Sequence, residues 1–166
     1  MDMINNRQKK DLVFTRVFDV SIERVWSAWT EPSIVKNWWG PDNFECPTAK
    51  LDFREGGVSL VSMASPKLGF PEQYSTWRYT KIVPMQEIEY ILNLADKDGT
   101  KIDPALVGMP ADFPRDILNI VTFEELGEGR TKVTVTEKDW PVGQMMEMSR
   151  MGMEQCLDKM AKALKR

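Results

Sequence analysis

The chain of 166 residues contains no histidine. That removes Ser-His-Asp and Cys-His catalysis, histidine-ligated metal sites and the commonest general base near neutral pH. Its two cysteines, Cys46 and Cys156, form no C-x-x-C pair, and each reads as a small buried apolar residue. Chemistry would have to come from carboxylates, Arg, Lys, Tyr or hydroxyls. Asp52-x-Arg54 ahead of Gly56-Gly57 fits a hairpin turn better than a catalytic pair, because glycine permits positive φ and the charges then lie outside. No catalytic residue, metal ligand or cofactor is assigned.

The sequence offers binding chemistry instead: six Trp, seven Phe and eleven Met make large, adaptable apolar surfaces. Period-two alternation puts Trp77 with Tyr79, Tyr90 with Leu92 and Leu94, and Asn119 with Val121 and Phe123, each set on one strand face. If Phe123 points inward, so does Asn119, whose amide then bonds Tyr79 or Tyr90 or awaits a guest. Met146 and Met153 face the same space from a C-terminal helix, Met109 and Phe113 reach it from a long loop, and Trp38 plugs one end. These ten residues are the candidate ligand-binding set: an apolar chamber with a few orienting polar groups. Gly152 costs ~1 kcal/mol mid-helix, which close approach to the sheet or space for a guest would offset.

The elements that must position them follow from the same pattern. Residues 12–20 alternate as a strand, with Phe14 and Phe18 on its packed face. Ser21 caps a short helix over 21–30, and Pro32 restarts a second one that runs to Trp38-Trp39 and stops at Gly40-Pro41. Strands are predicted over 49–54, 58–64, 74–83, 87–95, 117–126 and 130–138. The connection 100–116, rich in Pro yet carrying Leu106, Val107, Met109 and Phe113, suits a flap over a pocket. Residues 143–166 form one long helix with Lys162, Lys165 and Arg166 at its negative end. About seven antiparallel strands with helices at their ends make an α+β domain spanning 1–166, its core at about 12–165.

Charge and length set the outer limits. A net charge of −3 argues against nucleic acid, and no apolar run approaches the ~18–20 residues of a bilayer span. The opening Met1-Asp2-Met3-Ile4-Asn5-Asn6 lacks a secretory pattern, so a cytoplasmic location is expected. An exposed edge strand would permit a homodimer without requiring one.

Three segments carry a resemblance: Thr15-Arg16-Val17-Phe18-Asp19-Val20-Ser21, Val25-Trp26-Ser27-Ala28-Trp29-Thr30-Glu31-Pro32 and Asn37-Trp38-Trp39-Gly40-Pro41. With Asp52-x-Arg54-x-Gly56-Gly57, Lys81-Ile82-Val83-Pro84 and Gly108-Met109-Pro110, they resemble the SRPBCC (START-like) superfamily, in its branch named after the activator of heat-shock-protein-90 ATPase. That family's Gly-Trp in the last helix is Gly152-Met153 here. The resemblance implies a helix-grip fold, a curved sheet wrapped around the C-terminal helix with a cavity between them. A small hydrophobic or amphipathic ligand is the expected partner. A chaperone-ATPase activator with a chaperone partner is the first alternative, and a cyclase or hydrolase working without histidine is the second.

Overall fold

The computed structural model describes residues 8–165, so the leader reading of 1–6 and the position of Arg166 lie outside the described residues. Seven strands are hydrogen-bonded into one antiparallel sheet: β1 (Lys9–Phe18), β2 (Ala49–Lys50), β3 (Val58–Ser65), β4 (Phe70–Val83), β5 (Glu87–Ala95), β6 (Ile117–Gly127) and β7 (Arg130–Pro141). Their spatial order is β1-β7-β6-β5-β4-β3-β2, a meander whose last strand returns beside the first. Helices α1 (Ile22–Thr30) and α2 (Pro32–Trp38) follow β1, and α3 (Gln144–Leu164) closes the chain.

Local chemistry accounts for the helix ends. The Ser21 hydroxyl accepts the Arg24 N–H at 3.3 Å as N-cap of α1, and Pro32 occupies the first turn of α2. Both helices turn their apolar faces inward: Val25, Trp26, Ala28 and Trp29 from α1, and Ile34, Val35 and Trp38 from α2, are buried.

Two strand boundaries differ from the alternation pattern. The predicted strand over 49–54 shrinks to Ala49–Lys50, because Asp52 and Arg54 carbonyls accept the N–H groups of Arg54 and Gly57 in a tight turn. A Cβ on Gly57 would collide with the Asp52 carbonyl oxygen, so the turn requires glycine there. The Arg54 guanidinium pairs with Asp52 at 2.9 Å on the outside, as a hairpin predicts. In the other direction β4 starts at Phe70, since a 3-10 turn over Pro66–Leu68 ends in left-handed Gly69 (φ 79°) and lets Ser65 pair with Phe70.

Helix α3 is tied down along its C-terminal half. The Arg16 guanidinium on β1 bridges Glu154 and Asp158, each at 2.8 Å. Lys159 donates to the carbonyls of Gly40 (2.8 Å) and Phe44 (3.0 Å), and the Gln155 side chain accepts the Asp42 N–H. Among the described residues, no side chain of 144–151 makes a hydrogen bond or ion pair to another element. The helix is therefore pinned at one end and held only by apolar contact at the other. Gly152 sits between these halves and faces Pro41, whose Cβ lies 3.8 Å from where a side chain would begin. It is the loop after α2, and not the sheet, that approaches the glycine.

Candidate functional site

The sheet register builds the site. Across five adjacent strands Leu12 pairs with Glu137, Glu137 with Asn119, Asn119 with Tyr90, and Tyr90 with Tyr79. Directly opposed residues in a sheet share a face. This row therefore crosses the inner wall from β1 to β4. The neighbouring row runs Ile117, Leu92, Trp77 and Ser59. Alternation had placed Trp77, Tyr79, Tyr90, Asn119 and Phe123 on inner faces, and the first four lie together in these rows.

Its polar members are unevenly satisfied. The Tyr79 hydroxyl shares a 2.7 Å hydrogen bond with Ser59, and burial pushes its pKa up to about 12. The Asn119 amide donates to the Ile117 carbonyl at 3.1 Å, and not to Tyr79 or Tyr90. Tyr90 is 2% exposed, its pKa raised first by desolvation and then by nearby Glu137. No described residue hydrogen-bonds its hydroxyl.

Glu137 is the member that the sequence pattern should have revealed and did not. On β7 the inner face reads Thr131, Val133, Val135, Glu137 at strict period two. Its carboxylate accepts the Trp140 indole N–H at 3.0 Å. Part of its surface stays open to solvent, yet desolvation lifts the carboxyl pKa to about 7.

Aromatic rings surround this row. Trp77 and Tyr90 lie 5.1 Å apart between ring centres, Trp39 meets Trp77 edge-on at 5.1 Å, and Trp29 meets Trp38 at 4.7 Å. Trp26 and Phe123 touch at 5.0 Å. Trp38 is fully buried and spends its N–H on the Ala28 carbonyl at 2.7 Å, which fits its role as plug. The indole N–H groups of Trp29, Trp39 and Trp77 are buried without a partner among the described residues.

Of the ten candidate residues, Trp38, Trp77, Tyr79, Tyr90, Asn119, Phe123, Met146 and Met153 are buried. Phe113 is half-buried and its ring meets Trp140 edge-on at 5.7 Å, so the flap reaches the site from one side. Met109 lies half-buried in the same loop, outside the apolar cluster that holds the other apolar candidates. Cys156 from α3 lies close enough for Glu137 to influence it, and burial pushes its thiol up to about 12. A cleft of about 480 Å³ opens elsewhere, between Lys9, Arg115, Asp116, Leu118 and Lys138, and another of about 130 Å³ lies between Val17–Val20 and the end of α3. None of the ten lines either one.

A seven-stranded antiparallel sheet with a long C-terminal helix and two short helices after the first strand is the helix-grip arrangement of START-like proteins. Solved structures share it across nearly their whole length. Protein CV1439 from Chromobacterium violaceum is 21% identical, with 94% of this chain and 97% of that one covered at a TM-score of 0.76. A protein from Arthrobacter aurescens is 24% identical, with 93% and 86% covered and a TM-score of 0.75. The AHSA1 protein from Silicibacter pomeroyi is 18% identical, with 94% and 98% covered and a TM-score of 0.73. The sequence profile of the Activator of Hsp90 ATPase homolog 1-like proteins matches residues 19–165, and the chain belongs to that family. No curated protein matches it in sequence. Among the described residues no helix is long and apolar enough to cross a membrane.

Proposed function

We propose that the chain binds a small amphipathic molecule between the inner face of the sheet and the N-terminal half of α3, entering beneath the flap. The observation that carries this reading is incomplete hydrogen bonding inside an apolar interior. Three indole N–H groups have no partner among the described residues, and each buried unpaired polar group costs roughly 1–3 kcal/mol. Native proteins rarely leave such groups unsatisfied without a use for them. The aromatic rings touch one another through this space, so a guest must displace side chains. Met146, Met153 and the start of α3 can yield, because methionine re-packs easily and, among the described residues, no side chain of 144–151 is tied to another element. Native mass spectrometry of the purified protein should show an adduct of a few hundred daltons that denaturation releases. Protein that stays mass-pure from several hosts would count against the reading.

The close contact of the interior rings favours a second reading, a surface partner such as the chaperone ATPase after which the family is named. Leu106 (76% exposed) on the flap and Met148 and Met151 on α3 would then supply apolar contact.

A further inference from the structure

On the reading that the interior takes a guest, we propose that Glu137 anchors a basic head group, so that the ligand is an amphipathic amine with an apolar or aromatic body. Glu137 takes one N–H, from Trp140, and no Lys or Arg among the described residues forms an ion pair with it.

What faces it is neutral or acidic. Asn119 stands opposite on β6 and Leu12 opposite on β1. From β5 comes the Tyr90 phenol and from α3 the Cys156 thiol, both held protonated by burial. The adjacent Lys138 turns to the outer face and pairs with Asp11 at 2.9 Å. Among the described residues the site therefore has an acceptor with no cation to meet it. A buried carboxylate without a counter-charge is costly, and a guest that supplies the charge removes that cost. The walls favour the same chemistry. Tyr90 lies near Glu137, Trp140 bonds it, and Phe113 packs on Trp140. An aromatic face turned to a guest's ammonium group would add a quadrupolar attraction to that of the carboxylate. A guest that brings a carboxylate would meet repulsion from Glu137 instead.

Three probes with the same phenylethyl body separate the alternatives: 2-phenylethylamine, 2-phenylethanol and 3-phenylpropionate, titrated calorimetrically into the full chain between pH 5.5 and 8. The amine should bind about tenfold or more tighter than the alcohol at pH 8, with that preference growing as the carboxyl ionises. The preference should vanish in Glu137→Gln, which keeps an acceptor for Trp140 and so preserves the local fold. Equal binding of amine and alcohol, or a preference that survives in Glu137→Gln, overturns the head-group assignment while leaving interior binding intact. Failure of all three probes at every pH overturns both.

Discussion

Glu137 links pH to stability. Its carboxyl titrates near 4.5 when exposed and near 7 in the fold, so the folded state holds the proton over that interval and the unfolded state does not. Stability from this group is therefore greatest below about pH 4.5 and falls as pH rises through 7. Allowing for the part of the side chain that stays solvated, the loss is about 2 kcal/mol by pH 8. Glu137→Gln should unfold in urea with the same stability as the parent near pH 4.5 and be about 2 kcal/mol more stable at pH 8. A constant difference across that range would mean the carboxyl is not desolvated. Asp11, Glu72 and Asp116 move the opposite way: Lys138, Ser62 and Asn93 hydrogen-bond their carboxylates and hold them below the usual range. Their contribution fades only in acid and is common to both proteins, so it cancels in the comparison.

Helix α3 is the element on which guest entry turns. Arg16, Lys159 and Gln155 fix its second half to β1 and to the loop after α2, while its first half carries Met146 inward and Met148 and Met151 outward. Gly152 falls at the boundary, yet nothing in its surroundings requires glycine: a Cβ would meet Pro41 at an ordinary 3.8 Å. Gly152→Ala should therefore stabilise the protein by about 0.5–1 kcal/mol through helix propensity alone, raising the melting temperature by roughly 2–4 °C. Destabilisation would show that α3 needs its freedom, or a closer approach, at that position.

At the scale of the whole molecule, much was legible in advance because burial imposes a simple period. Residues 87–91 show it in the first half of β5, and Asn119 and Tyr90 fall on the face that alternation assigns. Short turns between successive strands call for an antiparallel sheet, whereas the place of β1 beside β7 and of the long helix against the sheet is implied by the family resemblance and not by the periodicity. What stayed hidden depended on long-range pairing. The strand predicted over 130–138 runs on to Pro141, because Lys9 and Lys10 of β1 pair with Pro141 and Trp140 beyond a register shift, with Asp139 in the left-handed region at φ 58°. That irregularity brings the Trp140 indole back onto Glu137, three residues earlier, where a regular strand would have sent it to the opposite face. Glu137 itself was overlooked because a charge among strand residues is usually solvated, although its place after Thr131, Val133 and Val135 marked it as inward.

The indole N–H resonances of the six tryptophans report directly on whether a guest enters. On adding an amphipathic amine to isotopically labelled protein, the signals of Trp29, Trp39 and Trp77, whose N–H groups lack partners, should shift together with that of Trp140. The Trp38 signal, already committed to the Ala28 carbonyl, should move least. Shifts confined to the backbone of the flap and the outer face of α3, with all six indoles still, would contradict interior binding.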